Sequence, residues 1–461
     1  MRHRDPEAEP VEPETLGRFL PAWQHVGSTT RSGPAGRSRG LRGVDGVLAV
    51  VEQLAGCALP ASALEPLVLG SRVVDYSPGM LDELTTSGEV LWAGHGTLPG
   101  TDGWVSLHLA DSADLTLPDR ADVDSTPLHD ALLEALSGGG AYFFRQLADV
   151  AGGVVGASSA TDGAVEQALW DLVWAGHVGN DTLAPLRALT STGRSAHRSR
   201  RQPPRARLGS RPRGTALPSR TGPASMVGRW SLLPDLEADP TRRAHASAEA
   251  LLERHGVVTR GAVMSERVPG GFAGVYKVLT AFEDSGRCRR GYFVAGLGAA
   301  QFGAPGAVDR LRSFSRDLSG GDEAQERSVV ALAATDPANP YGAALPWPDR
   351  AAAPSEDEAA PTTGSGHRPG RKAGAMVVLV DGALAIYVER GGRTLLTFTD
   401  DVEILTAAAT DLAAAVRRGT LGKLLVERAD GAHILGRKDP LREALEGAGF
   451  VVTPKGLRLR A

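Results

Sequence analysis

The stretch LLERHGVVTRGAVMSERVPGGFAGVYKVLTAFEDSGRCRRGYFVAGLGAAQFG, residues 251–303, decides the fold of this region. Its apolar run ends at His255-Gly256, Thr259 can cap a short second helix, and Pro269-Gly270-Gly271 breaks the chain. A third helix is predicted next, and its apolar residues follow i, i+3, i+4 spacing: Phe272, Val275, Tyr276, Leu279 and Phe282. Gly286 ends that helix, and RCRRGYFV then alternates basic and apolar residues. This order predicts a winged helix.

The third helix of a winged helix commonly enters the major groove of DNA. We therefore expect DNA contacts from the helix and from the wing that follows it. The residues assigned to those contacts are Gly270, Gly271, Tyr276, Lys277, Arg287, Arg289 and Arg290. The alternative is a winged helix that serves only for packing or for protein contacts.

Two further segments repeat the same local signature, an apolar residue four positions before a glycine that precedes a strand. The three pairs are Leu84 and Gly88, Leu172 and Gly176, and Phe282 and Gly286. The glycine allows a left-handed C-cap that reverses the chain into the wing. The recurrence predicts a tandem array, although unrelated helix-to-strand turns would give the same spacing.

Composition limits the function classes. The chain has 461 residues, which predicts several domains, and a net charge of −4, so that any nucleic-acid surface needs local charge segregation. Two cysteines without a CxxC motif, Cys57 and Cys288, argue against a disulfide framework or a cysteine-based zinc site and fit a reducing cytoplasm. We expect no metal and no cofactor. We also expect no membrane association, since no apolar run approaches 18 residues.

The predicted fold class is α+β, with tandem winged-helix domains followed by a small β-barrel. The barrel is expected because the apolar period changes to two after residue 366, and Asp381-Gly382 marks a type I′ hairpin. The expected order is an N-terminal arm (1–43), winged-helix-like modules (44–120 and 121–190), an arginine-rich linker (191–229), a winged helix (230–320) and the barrel module (321–461) with an acidic, proline-containing linker (351–366). The arginines at 194–220 are interpreted either as a phosphate-binding arm or as an insertion shaped by composition.

Motifs for ATP hydrolysis are lacking. Asp322-Glu323-Ala324-Gln325 spells a helicase box, but it follows a polar stretch, and no G-x4-G-K-[ST] loop occurs in the sequence. We therefore expect no ATPase in this chain.

Two other constellations could carry chemistry. Asp336 ends an apolar strand in DPANPYG, where a carboxylate could activate water for base excision or could simply cap its own turn. The loop GHRPGRK (366–372) offers phosphate contacts or is a solvated charge run, and its basic residues are His367, Arg368, Arg371 and Lys372. Gln301 is a second candidate for positioning water.

Several of these stretches resemble the C-terminal region of bacterial large helicase-related (Lhr) proteins. They include GRFLPAW (17–23), DELTTSGEVLWAG (82–94), PGGFAGVYKVL (269–279), DPANPYG (336–342) and GHRPGRKAGA (366–375). The resemblance implies a tandem winged-helix array with a β-barrel, similar to AlkZ-type DNA glycosylases and able to form oligomers. It also implies an upstream pair of RecA-like motor domains, so that Met1 is expected to begin a fragment or a split-gene product. An acidic residue near the C-terminus, tied to uracil removal in some members, has no match, because the last acid is Glu446.

The resulting prediction is a DNA-binding region of an ATP-dependent repair helicase, cytoplasmic and nucleoid-associated. Its expected partners are DNA, a separate motor polypeptide and further copies of itself. The alternatives are a DNA glycosylase-like enzyme, with Asp336 and Gln301 as catalytic residues, and a self-associating scaffold whose oligomer forms regardless of DNA.

Overall fold

The computed structural model describes residues 9–27, 40–192, 222–315, 327–349, 368–419, 421–436 and 439–460. Within these ranges three winged helices precede an α/β module. His367, most of the arginine-rich linker and the 351–366 linker lie outside the described residues.

The first winged helix has three helical segments and a three-stranded antiparallel sheet. Its helices are Gly43–Leu54, a continuous irregular stretch (Ala61–Ala63, the π-helix Leu64–Leu69 and Gly70–Arg72), and Pro78–Ser87. In the sheet, Asp102–Leu109 lies between Leu59–Pro60 and Val90–Leu98. Short helical turns, Ala110–Ser112 and Ala113–Thr116, lead out of it.

The second winged helix follows the same order and shares its hydrophobic core with the first. Its elements are Pro127–Leu136, Tyr142–Phe143, Phe144–Val155, Asp162–Trp174, Val178–Asn180, Ala184–Thr192 and Arg229–Leu232. Arg229–Leu232 pairs with both other strands and places the fully buried Trp230 in this core. The sheet of the second module is therefore completed by residues that the predicted boundaries divide between the linker and the third module.

The third winged helix contains the helices Pro240–His255, Arg260–Ser265, Gly271–Asp284 and Ala307–Ser313, and the strands Val257–Val258, Arg289–Gly291 and Gln301–Gly303. The N-terminal helix Pro13–Trp23 packs into its core through Leu16, Phe19 and Leu20. Val11 N–H donates to the Phe293 carbonyl (2.7 Å) beside the wing. Part of the expected arm is thus integrated into the fold.

The three glycines predicted to end the third helices adopt the left-handed conformation, with φ of 82°, 77° and 75° at Gly88, Gly176 and Gly286. In each module the amide after the glycine donates to the carbonyl of the apolar residue four positions before the glycine, at 3.1, 2.9 and 2.8 Å. These are Schellman-type caps. The shared cap explains why the signature recurs at the same point of each module.

The C-terminal module is built on a six-stranded sheet. Along the sheet the strands are Val329–Ala333, Met376–Val380, Ala383–Val388, Thr394–Thr397, Arg428–Ala429 and Ala432–His433. Asp381 and Gly382 have φ of 53° and 85°, as a type I′ hairpin requires. The helices Val402–Arg417 and Pro440–Gly447 and a smaller sheet (Leu424–Val426, Gly456–Leu459, Val451–Thr453) complete the module.

The expected closed barrel is not confirmed. Among the described strands the first and last of the six-stranded sheet each have one neighbour, so the sheet is open. The helix Val402–Arg417 lies against its first three strands and buries Ala408, Leu412 and Val416 in a core shared with them. Helical cover of one face removes the need for the sheet to close on itself. The α+β class with winged-helix domains holds.

Candidate nucleic-acid interface and interdomain cleft

The helix-turn-helix of the third module is set by local chemistry. Thr259 Oγ1 accepts the amide of Ala262 (3.2 Å) and caps the second helix. Gly270 (φ 76°) and Gly271 (φ 58°) form the turn before the third helix, a backbone that other residues rarely adopt. Val275 and Leu279 are buried, whereas the solvent-exposed side of this helix carries Lys277 among small residues, with Asp284 in its last turn.

The three wing arginines already have acidic partners. Arg287 pairs with Glu249, donates to His245 Nε2 (2.9 Å) and lies over the Phe282 ring (4.2 Å). Arg289 lies 3.6 Å from Asp309, and both side chains are more than half exposed. Exposed pairs of this kind contribute little to stability. A phosphate could therefore replace such carboxylates at small cost.

Arg290 and Tyr276 form the link between the wing and the third helix. Arg290 Nη1 donates to Tyr276 Oη (2.8 Å), and its Nε lies 3.2 Å from Glu283 Oε2. The Tyr276 ring also packs edge-on against Phe302 at 5.5 Å. The structure thus brings two of the predicted DNA-binding residues, Arg290 of the wing and Tyr276 of the third helix, into contact.

Two exposed arginines were missed by the sequence analysis. Arg260 begins the second helix and Arg267 follows its end, and neither has an ion pair or a side-chain hydrogen bond to any described residue. With Lys277 they give the helix-turn-helix three exposed, unneutralised cations. Helical position could have revealed Arg260, because the start of a second helix commonly lies at the DNA backbone.

Gln301 is buried and holds the wing loop. Its Oε1 accepts the amides of Phe293 (3.1 Å) and Val294 (2.9 Å), and its Nε2 donates to the carbonyls of Val294 (2.9 Å) and Gly298 (2.7 Å). All the usual bonding directions of this amide are occupied by backbone. Its predicted action on water remains a prediction.

The basic loop divides between the interior and the surface. Arg371 directs both terminal nitrogens to four backbone carbonyls, those of Thr335, Asp336, Asn339 and Tyr341, at 2.8–3.3 Å. Only its Nε–H is left for another acceptor. Arg368 is exposed, and Lys372 Nζ lies 2.9 Å from Glu389. The loop therefore offers Arg368 most directly to a ligand.

Asp336 lies at the junction between the first winged helix and the C-terminal sheet. Its oxygens accept Arg72 Nη2 (2.7 Å) and Nη1 (2.9 Å), and both side chains are fully buried. Oδ1 also accepts the amide of Ala338 (2.8 Å), and Gln24 Oε1 accepts from Arg72 (2.8 Å). The carboxylate has no exposed edge for a substrate in this conformation, and its catalytic role remains a prediction.

A cleft of about 270 Å³ lies close to this ion pair, where three modules meet. The first winged helix contributes His95 and Trp104, the third contributes Glu266, and the C-terminal module contributes Thr335 and Arg371. Its volume is near the lower end of small-molecule sites, which span roughly 300 to 1,000 Å³. No local sequence pattern signals a cleft whose walls are separated by up to about three hundred residues.

Glu266 is the fixed negative charge of the cleft. Burial would raise its pKa, but the nearby Arg254 charge and the hydrogen bond from His255 Nε2 (2.6 Å) lower the pKa to about 2. The carboxylate is therefore ionised at neutral pH. By contrast, burial raises the pKa of the neighbouring Cys57 thiol to about 12, so this thiol is not a nucleophile.

Burial also keeps two histidines of the first winged helix neutral. It lowers the pKa of His95 to about 4, and burial together with the His95 charge lowers the pKa of His108 to about 3. Ser106 Oγ lies between their Nε2 atoms, 2.6 Å from that of His108. The cleft thus combines an ionised carboxylate with an uncharged imidazole.

Two classes of site are not found among the described residues. No group of three or more histidine, cysteine or acidic side chains is placed to hold a metal ion there. No helix in the same ranges is long and apolar enough to cross a membrane.

Comparison with known proteins shows which proteins this chain resembles. Two family models described as large helicase-related protein, winged-helix domain, match the chain: that of the third such domain over residues 11–110 and that of the fourth over residues 237–323. A protein of Mycolicibacterium smegmatis named "Lhr helicase/ probable uracil glycosylase" is 50% identical over 463 residues, which cover 98% of this chain and 28% of that protein. The Escherichia coli "Lhr helicase/uracil glycosylase" is 38% identical over 457 residues, 97% of this chain and 28% of its own length.

Three winged helices in tandem, with exposed cations on the third, define a multi-module winged-helix protein. The chain matches the C-terminal region of large helicase-related proteins, and the matched parts include segments similar to their third and fourth winged-helix domains. This confirms the resemblance drawn from the sequence. The chain spans little more than a quarter of the length of either relative.

Proposed function

We propose that this chain is a DNA-binding region that grips the phosphate backbone and has no ATPase of its own. The observation that carries the proposal is a set of three exposed cations without acidic partners among the described residues: Arg260 on the second helix of the third module, Arg267 in the turn after it, and Lys277 on the third helix. A helix-turn-helix directs these two helices toward the backbone and the major groove.

The grip would depend on charge rather than on base sequence. Among the exposed residues of the third helix, Ala273, Gly274 and Ala281 carry no group that reads a base edge, and Lys277 is a point charge. The remaining one, Asp284, lies at the C-terminal end of the helix, whereas base contacts come from the N-terminal residues of such helices. Arg289 would add a phosphate contact once released from Asp309. Arg368, which has no acidic partner among the described residues, would add another. Phosphate contacts fix position without selecting sequence.

The test is a binding titration of the purified chain with two duplexes of unrelated sequence. We expect similar affinities for both duplexes and a marked loss for Arg260→Gln and Lys277→Gln. Lys455→Gln is the matched control, since it removes an exposed cation from the turn between the last two strands of the C-terminal module. Equal affinity of all variants would reject this surface.

We further propose that the chain acts within, or together with, a longer helicase that supplies the motor, because both relatives named as helicases are more than three times its length. Cytoplasmic, nucleoid-associated location and self-association through the modules extend the same proposal. Sedimentation of the chain with and without DNA distinguishes an assembly that requires DNA from an oligomer that forms without it.

A second candidate function is removal of uracil from DNA, which the names of both relatives include. The specific observation in its favour is the ionised Glu266 in a cleft that also holds neutral His95. In such a reaction water adds to C1′, the bond from C1′ to the base nitrogen breaks, and the base leaves with a proton.

Asp336 and Gln301 remain the sequence-derived candidates for action on water, and Glu266 joins them from the cleft. Alkali treatment of a uracil-containing duplex after incubation with the chain would reveal abasic sites. If Asp336 acts on water, Asp336→Asn abolishes scission while DNA binding is kept. Unchanged scission in that variant would remove Asp336, and unchanged scission in Glu266→Gln would remove Glu266.

A further inference from the structure

The three-module cleft has features of a ligand site beyond its fixed charge. A β-bulge between Gly94 and Thr97 interrupts the pairing of the two long strands of the first winged helix, and His95 lies within it. Bulges are common beside functional sites because they redirect a side chain. Here the bulged residue is one that lines the cleft.

The hydrogen-bond chain behind His95 fixes which of its nitrogens carries the proton. Thr116 Oγ1 donates to the Ser112 carbonyl (3.2 Å), so it accepts from His108 Nδ1 (2.9 Å). The neutral His108 ring must then accept at Nε2 from Ser106 Oγ (2.6 Å). With its single proton used, the Ser106 hydroxyl accepts from His95 Nε2.

His95 is therefore protonated at Nε2, which leaves Nδ1 as a bare acceptor. No described residue donates a hydrogen bond to this nitrogen. Because burial holds the ring neutral, with its pKa lowered to about 4, the acceptor persists at physiological pH. An imidazole held in one tautomer by three side chains can discriminate a donor from an acceptor in a ligand.

Trp104 and Arg267 supply the other contacts that a nucleotide needs. Trp104 is half-buried, lines the cleft and offers a flat apolar surface, on which bases stack readily. Arg267 lines the same cleft, is exposed and lacks an ion pair to the described residues. The backbone φ of Arg267 is 54°, which is unusual for a residue other than glycine. A guanidinium there suits a phosphate at the entrance.

We propose that this cleft receives one nucleotide extruded from DNA, with Trp104 stacking on the base, His95 Nδ1 accepting from a ring N–H of the base, and Arg267 binding its phosphate. The inference rests on the proposed DNA-binding function and names the subsite that function would use. A base with a ring N–H on its Watson–Crick edge, such as uracil, is favoured over cytosine, whose ring nitrogen at that edge is an acceptor.

The experiment compares the affinity of the full chain for two duplexes that differ at one position. One carries 2′-fluoro-deoxyuridine opposite guanine, which resists hydrolysis, and the other carries 2′-fluoro-deoxycytidine opposite guanine. Wild type is expected to bind the uracil duplex about tenfold more tightly, and Trp104→Ala is expected to remove most of that preference. Trp104→Phe, which keeps a stacking ring, should retain it.

His95→Ala and Ser106→Ala test the acceptor separately. Each should reduce the preference about fivefold while leaving affinity for the cytosine duplex nearly unchanged, and Ser106→Ala should also lower the melting temperature, because two buried imidazole nitrogens lose their partner. Ser106→Ala is decisive, because it keeps His95 in place but removes the group that fixes its tautomer. If Trp104→Ala, His95→Ala and Ser106→Ala all keep the wild-type preference, the pocket assignment is overturned.

Arg260→Gln distinguishes the pocket from the general grip, since it should weaken binding to both duplexes equally. A wild-type chain that binds both duplexes alike would overturn the pocket and leave the DNA-binding proposal standing. A chain that binds neither duplex at low salt would overturn both.

Discussion

Arg72 and Asp336, 264 positions apart, form a bidentate ion pair at 2.7 and 2.9 Å with both side chains fully buried. The pair ties the helical stretch of the first winged helix to the end of the first strand of the C-terminal sheet. Gln24, the Val68 carbonyl and the Ala338 amide add further hydrogen bonds to the pair. The cleft opens beside this joint, so the geometry of the cleft depends on the pair.

Asp336→Asn should destabilise the fold by about 3–5 kcal/mol, because it leaves the buried Arg72 charge without its counter-charge. Chemical denaturation measures this loss. The double variant Arg72→Met/Asp336→Leu should recover much of it, since it removes both charges of the pair. A stable Asp336→Asn that loses only uracil-dependent scission would instead favour the catalytic role.

Glu266→Gln should change the pH dependence of the free energy of unfolding. The folded pKa of Glu266 is lowered to about 2 from an ordinary 4.5, so its ionisation stabilises the fold above about pH 4.5, and this stabilisation is lost as pH falls toward 2. The contribution is at most about 3 kcal/mol. Denaturation at several pH values should show the wild-type advantage over Glu266→Gln shrinking across that window.

Glu249→Gln is the control for that experiment, because Glu249 pairs with Arg287 at the surface and is about half exposed. Its stability difference from wild type should be small at every pH. A wild-type advantage over Glu266→Gln that stays constant from pH 5 to about pH 2 would contradict the assignment.

Gln301→Leu should cost about 1–3 kcal/mol, because the amides of Phe293 and Val294 lose their acceptor inside the wing. The same variant should weaken duplex binding, since it loosens the loop that continues from the wing arginines. Thermal unfolding and a binding titration measure the two effects. Loss of uracil excision at unchanged stability would instead support action on water.

The capping glycines offer a test of the tandem architecture. Gly88→Ala and Gly286→Ala should each cost about 1–2 kcal/mol, because a Cβ would meet no neighbour yet the left-handed backbone is strained. Gly79→Ala is the matched control, within a helix and equally open, and should stabilise by about 0.4–1 kcal/mol. Equal effects on stability at all three positions would contradict the assignment of Gly88 and Gly286 as left-handed C-caps.

The winged helices could be predicted from sequence because their determinants are local. Thr259 caps the next helix, Gly286 ends the third, and both signals lie within a few residues of the structure they specify. The hairpin at Asp381-Gly382 was predictable for the same reason. Local patterns also explain why the β-barrel is not confirmed, since alternating strands do not reveal whether a sheet closes.

The cleft could not be predicted, because its walls are joined only by long-range contacts such as that of Arg72 with Asp336. Arg371 illustrates the limit: its sequence context is a basic surface loop, yet the fold brings four carbonyl oxygens around it. The segment Arg229–Leu232 is a similar case. Its position in the chain predicts that it belongs to the linker and the third module, whereas the strands with which it pairs lie in the second module.

The most direct test of the central claim is the salt dependence of duplex binding by wild type and by Arg260→Gln/Arg267→Gln/Lys277→Gln. Each cation that neutralises a phosphate adds about 0.9 to the slope of log affinity against log salt. The account predicts that the triple variant binds more weakly and that its slope is smaller by about 2.7. Wild-type affinity and an unchanged slope in the triple variant would contradict it.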